Sequence, residues 1–188
     1  CVQSSNEMTG MVCLRIMLQS GKNNFMICDV HTRQTAFVVA ASLGKLKVVK
    51  EFLKISEFTH TDAVHAVDAN GNNALYLAAA NGYLGVVQSI LPFLTPAEIK
   101  KRQRGISALF VAAYKGHHEI VKELLPFATS DNLETSRLGE ESLPDAFFSQ
   151  HDKTEVLATA LQLGHTKVVQ ILIDSPHYTA DYVSLLTA

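Results

Sequence analysis

Apolar residues recur along the chain as paired positions spaced for helices with one buried face. Val48-Val49 with Phe52-Leu53, Val86-Val87 with Ile90-Leu91, Ile120-Val121 with Leu124-Leu125, and Val168-Val169 with Ile171-Leu172 each put their bulk on one side of a 3.6-residue turn. A second, tighter block precedes every one of these runs. The four blocks align as Thr35-Ala-Phe-Val-Val-Ala-Ala-Ser-Leu-Gly44, Asn73-Ala-Leu-Tyr-Leu-Ala-Ala-Ala-Asn-Gly82, Ser107-Ala-Leu-Phe-Val-Ala-Ala-Tyr-Lys-Gly116 and Glu155-Val-Leu-Ala-Thr-Ala-Leu-Gln-Leu-Gly164. The pattern predicts a short helix, a tight turn and a second helix, four times over.

The local chemistry of one unit supports that prediction. Thr35, Asn73 and Ser107 precede the first helices as N-caps, whose side-chain oxygens accept from a first-turn amide and contribute about 1 kcal/mol. The pairs Ala40-Ala41, Ala78-Ala79 and Ala112-Ala113 keep the first helix thin, so its neighbours can approach closely. Gly44, Gly82, Gly116 and Gly164 stand where the first helix must stop in a left-handed residue. The last unit departs most: Glu155 replaces the cap, Lys153 stands where a turn glycine is expected, and Leu161 replaces the second alanine.

The repeated blocks resemble the ankyrin repeat, whose signature runs Asp-x-x-Gly-x-Thr-Pro-Leu-His-x-Ala-Ala-x-x-Gly-His before an apolar helix and a loop. The best match is Asp68-Ala-Asn-Gly71 continuing through Ala78-Ala79 to Gly82. From Gly44 to Gly82 is 38 residues, from Gly82 to Gly116 is 34 and from Gly116 to Gly164 is 48, against a repeat of about 33. Two intervals therefore carry insertions. The resemblance covers residues 8–174 and implies an all-α, ankyrin-type solenoid of helix-turn-helix repeats with short hairpin-like loops, about four repeats plus partial terminal units. Ala36, Ala74, Ala108 and Val156 stand for the signature proline. Val38, Tyr76, Phe110 and Ala158 stand for its histidine, so apolar contact is expected to replace polar links between repeats.

On this reading residues 1–188 form a single repeat domain: a partial N-terminal repeat or cap at 1–28, repeats at 29–66, 67–101, 102–128 and 153–176, an acidic insertion at 129–152, and the start of a truncated repeat or cap at 177–188. The stretch 56–67 is expected to add a short helical turn. Thr95-Pro-Ala-Glu98 has capping-box form with proline at the first helical position, and predicts a short helix towards Lys101. The acidic insertion carries Leu143 and Phe147-Phe148, which suggests a loop that packs back. Thr179 could cap a final helix containing Tyr182, Val183, Leu185 and Leu186. The chain begins and ends inside helical pattern, so it reads as part of a longer protein.

The net charge of −2 argues against a dedicated nucleic-acid binder, which gains affinity from a basic balance. Cys1, Cys13 and Cys28 form no C-x-x-C pair and do not resemble a disulfide framework, which points to a reducing, cytoplasmic compartment; the resemblance to ankyrin repeats leaves delivery into a host cell open as an alternative setting. Nothing approaches the roughly 20 apolar residues of a membrane span, and no signal pattern opens the chain. No P-loop, nucleophile-elbow or H-E-x-x-H motif is present, so no catalytic residue, cofactor or metal is expected. His117-His118-Glu119 is the most tempting cluster, yet helical neighbours diverge rather than converge on a metal; His117 instead shares a structural signature position with His165. His60 and His65 lack a third ligand, and Cys28 lacks a neighbour that would activate its thiol.

The resemblance implies a protein-interaction module that meets a partner protein or peptide at the loop tips and at the concave face of the first helices. Carried over by position, the tips are His31, Thr32 and Gln34; Ala69, Asn70 and Asn72; Gln103, Arg104 and Ile106; and His151, Asp152 and Thr154. The groove positions are Ser42 and Leu43, Ala80 and Asn81, Tyr114 and Lys115, and Gln162 and Leu163. Lys100, Lys101, Arg102 and Arg104 concentrate positive charge before the repeat that displays Tyr114 and Lys115, which suits an acidic partner. Two alternatives stay open. One is a targeting or regulatory domain of an enzyme or secreted bacterial effector whose catalytic region lies outside this chain; the other is binding of anionic lipid through the basic finger.

Overall fold

A computed structural model describes residues 31, 33–55, 62–100, 106–127 and 152–175. Among the described residues there are nine α-helices and no strand. They form four helix pairs: α1 (Ala36–Ser42) with α2 (Leu46–Leu53), α3 (Ala74–Ala80) with α4 (Leu84–Ile90), α6 (Ala108–Tyr114) with α7 (His118–Leu124), and α8 (Asp152–Gln162) with α9 (Thr166–Asp174). A short helix α5 (Pro96–Lys100) lies between the second and third pairs, where the Thr95-Pro96 sequence predicts it. The turn expected within 56–67 is a 3-10 turn at Asp62–His65.

Each feature of the repeat has a local cause. The amides of Val38, Tyr76 and Phe110 donate to Thr35 Oγ1 at 3.3 Å, Asn73 Oδ1 at 2.8 Å and Ser107 Oγ at 3.1 Å, so all three predicted caps are made. At the other end of α1 the Gly44 amide bonds Ala41 O at 3.1 Å and the Lys45 amide bonds Ala40 O at 2.9 Å. This is the Schellman arrangement, in which two carbonyls orphaned by the helix end are satisfied at once. It recurs at Gly82, Gly116 and Gly164, and all four glycines have φ between 66 and 79°. The next residue, Lys45, Tyr83, His117 or His165, then sits near φ −80° and ψ 70° as the N-cap of the second helix. The amide after it bonds back to the glycine carbonyl, giving an inverse γ-turn. That turn reverses the chain within three residues.

The chain divides into two compact units, Cys1–Thr95 and Pro96–Ala188. In the first, α1 packs on α3 and α2 on α4. Phe37, Val48, Val49, Phe52, Leu75, Val86, Val87 and Ile90 are buried there, with Phe37 and Phe52 meeting edge to face at 5.8 Å. In the second, α6 packs on α8 and α7 on α9, burying Ala112, Ala113, Ile120, Val121, Leu124, Val156, Leu157, Val168 and Leu172. Ile99 of α5 is buried, and α5 contacts the 3-10 turn Leu125–Phe127. The alanine pairs of the first three repeats are fully buried, as thin, closely approached helices require.

Two expectations are corrected. The first helix of the last repeat begins at Asp152 and runs eleven residues, so Asp152 and Thr154 lie in α8 rather than on a loop tip. Without an N-cap at 155 or a turn glycine at 153, nothing in Asp152-Lys-Thr-Glu155 stops the helix from extending towards its N-terminus. Polar links between repeats also persist although the signature histidine is missing. Val38 at that position is fully buried, as expected of an apolar substitute. The polar contacts come from other residues, Asn81 and His165.

Candidate interaction surface

The finger of the second repeat shows how this chain builds a loop tip. Val67 and Asn73 form an isolated antiparallel bridge, and Gly71 between them adopts φ 81°. Asp68, largely buried, accepts from the amides of Asn70 at 2.8 Å and Asn72 at 2.9 Å through Oδ1, and from Asn72 Nδ2 at 3.1 Å through Oδ2. One carboxylate thus fixes the backbone of the whole tip. The Asn72 amide group is held by that carboxylate, whereas Ala69 and Asn70 are exposed at the apex.

The first-helix ends of the first unit bring Ser42, Leu43, Ala80 and Asn81 together. Leu43 and Asn81 are the C-cap residues of α1 and α3, both exposed, with Ser42 and Ala80 half-buried beside them. Asn81 Nδ2 donates to the Ser42 carbonyl at 3.1 Å, which ties the two helix ends edge to edge. Tyr83 follows the turn glycine of its own repeat and lays its ring over Gly44 of the preceding one. A Cβ there would come 2.5 Å from the ring. Gly44 therefore meets two demands, a positive φ and the close approach of an aromatic ring.

The same construction appears in the second unit with different chemistry. His165 lies over Gly116 as Tyr83 does over Gly44, and its Nε2–H donates to the Tyr114 carbonyl at 3.0 Å. Tyr114 is 47% exposed, stacks on Phe110 at 6.5 Å, and carries the Lys115 ammonium 5.7 Å from its ring centroid. Leu163, also 47% exposed, and exposed Gln162 stand at the end of neighbouring α8. Tyr114, Lys115, Gln162 and Leu163 thus share one edge of this unit.

Lys101, Arg102, Gln103 and Arg104, with Thr32 and His151, lie outside the described residues, as do the three cysteines, His60 and most of the acidic insertion. His31 is exposed and Gln34 and Ile106 are half-buried. His118 Nε2 is 3.3 Å from Glu119 Oε1, and among the described residues no three His, Cys, Asp or Glu side chains come together in a way that could hold a metal ion. No helix among the described residues is long and apolar enough to cross a membrane. The inter-repeat roles of Tyr83 and of Asn81 were not foreseen. The signal available was positional: the residue after each turn glycine begins the second helix, beside the previous repeat.

No curated protein matches the chain. The family model described as ankyrin repeats (3 copies) matches residues 4–100 and 89–184. With four helix pairs, three of them opened by a side-chain cap, a glycine-closed turn in each, and this match across most of its length, the chain belongs to the ankyrin-repeat family, whose fold is an all-helical repeat solenoid.

Proposed function

We propose that this chain binds a partner protein or peptide through the exposed ends of its first helices and the adjoining finger tips. Ankyrin repeats are generally protein-protein interaction modules and are typically non-catalytic. The observation that carries the reading is the Tyr114 edge. An aromatic ring and Leu163 are each 47% exposed and flank an exposed lysine, on helix ends joined by the His165–Tyr114 hydrogen bond. Aromatic residues held on a rigid backing lose little conformational entropy on binding and dominate interface energetics. Lys115, together with Lys101, Arg102 and Arg104 in the sequence, favours an acidic partner. Within the first unit, Asn70 at the second tip, Leu43 and Asn81 are exposed positions of the same kind.

The test is quantitative affinity capture from cell lysate with the intact chain and a Tyr114→Ala, Lys115→Ala, Leu163→Ser variant side by side. A central anchor residue contributes about 2 kcal/mol or more, so specific partners should fall by about thirtyfold or more. Equal recovery by the two proteins, with the variant's helicity intact, would reject this surface.

A further inference from the structure

Two asparagines of the chain are followed by glycine, Asn70 before Gly71 and Asn81 before Gly82, and both asparagines are exposed. At such a pair the glycine nitrogen can attack the asparagine side-chain amide, since glycine has no Cβ to crowd the approach. The attack requires the backbone to leave its folded arrangement, because both glycine amides are engaged: Gly71 donates to the Asp68 carbonyl at 2.9 Å and Gly82 to the Ala79 carbonyl at 3.3 Å. The two settings differ in what that opening costs. Asn81 is the C-cap of α3; its amide bonds the Leu77 carbonyl at 3.1 Å and its Nδ2 donates to the Ser42 carbonyl at 3.1 Å. Freeing it loosens α3 from α1, where Ala78 and Ala79 are fully buried. Around Asn70 no residue from 69 to 72 is buried. That tip is held by polar contacts: the turn bond, the Val67–Asn73 bridge and the three hydrogen bonds to the Asp68 carboxylate. Local opening is cheapest where few apolar contacts are lost.

We propose that Asn70 is a site of spontaneous deamidation and that the Asp68 carboxylate sets its rate by holding the finger tip closed. In the opened tip the Gly71 nitrogen loses its proton to water and bonds to Asn70 Cγ. The Cγ–Nδ2 bond breaks, and the side-chain nitrogen leaves as ammonia. Water then opens the resulting five-membered imide. Breaking the bond between Cγ and the Gly71 nitrogen gives aspartate; breaking the bond between the Asn70 main-chain carbonyl carbon and that nitrogen gives isoaspartate. The net change is one water consumed and one amide replaced by a carboxylate, with no oxidant or reductant. Either product puts a second negative charge two residues from Asp68. Isoaspartate also adds a carbon to the main chain between Val67 and Asn73, which displaces the amides of residues 70 and 72 from the positions that one carboxylate oxygen now serves at 2.8 and 2.9 Å. The modification falls on a tip proposed above to meet a partner, but its chemistry requires none.

The experiment incubates the full chain at mildly alkaline pH, folded and in urea, and follows both asparagines by peptide mass spectrometry with enzymatic methylation to count isoaspartate. In urea the two sites should convert at similar rates, since each precedes glycine. In the folded chain Asn70 should convert at least about tenfold faster than Asn81, because several more contacts must be lost to free the latter. Asp68→Ala should speed Asn70 by about tenfold and leave Asn81 unchanged, which also shows that the variant is folded. If Asp68→Ala raises both sites, Asp68→Asn, which keeps one acceptor oxygen, decides the matter, and the Asn70 rate alone must rise. Three results would overturn the proposal: Asn81 converting as fast as Asn70 in the folded chain, Asn70 staying intact while both sites convert in urea, or Asp68 variants no faster at Asn70 than the parent.

Discussion

His165 reaches back from the last described repeat to the Tyr114 carbonyl at 3.0 Å, with its ring against the backbone of Gly116. The contact joins a turn in one repeat to the exposed aromatic of the previous one. It makes Gly116 and Gly164 a natural pair of controls. Both have positive φ, 77° and 72°, but a Cβ on Gly116 would meet the His165 ring at 2.9 Å, whereas one on Gly164 would meet nothing within 4 Å. Gly164→Ala should cost the left-handed penalty alone, about 1–2 kcal/mol. Gly116→Ala should cost that and the displaced hydrogen bond, about 1 kcal/mol more. Urea unfolding of the two variants measures the difference, and equal losses would mean the His165 contact contributes nothing.

The N-cap at Asn73 offers a second test. Its side chain accepts from the Tyr76 amide at 2.8 Å, so Asn73→Ala should lose about 1 kcal/mol, while Asn73→Ser, which retains an acceptor, should stay near the parent. Chemical denaturation midpoints at constant slope would show it.

Asp68 accepts two backbone amides and one side-chain amide within a single finger. Hydrogen bonds to a charged acceptor contribute about 1.5–3 kcal/mol, so Asp68→Ala should destabilise by about that amount. Amide hydrogen exchange at Asn70 and Asn72 should rise with it. Unchanged exchange at those two amides would show that the tip is held by other means.

Phe37 is buried against Phe52 in the first unit. Phe37→Ala removes a whole ring from a packed core and should cost about 3–5 kcal/mol, whereas Leu should be tolerated better. Thermal unfolding followed by circular dichroism distinguishes the two replacements.

The caps, the turn glycines and the thin helices were legible from sequence because each depends on residues within one turn of each other. Thr35, Asn73 and Ser107 bond amides three residues on, and the glycines end helices through carbonyls no more than five residues away in sequence. The extent of α8 was not legible, because the stop signals at 153 and 155 were missing and nothing local replaced them. Of the first-helix positions, Leu43, Asn81, Tyr114, Lys115, Gln162 and Leu163 are exposed while Ser42 and Ala80 are half-buried, and the sequence could not tell that the amide group of Asn72 is taken by Asp68.

By itself the sequence determined the repeat, its period and the chemistry of each turn, since hydrogen bonds between near neighbours select helix, cap and left-handed glycine regardless of what lies beyond them. Only the tertiary structure decided which side chains cross from one repeat to the next: Tyr83 onto Gly44, Asn81 to the Ser42 carbonyl and His165 to the Tyr114 carbonyl. The same stacking sets how buried matched positions are, leaving Leu161 open where Ala113 is covered. Those contacts join residues 39 and 51 positions apart, and packing, rather than local propensity, brings such residues together.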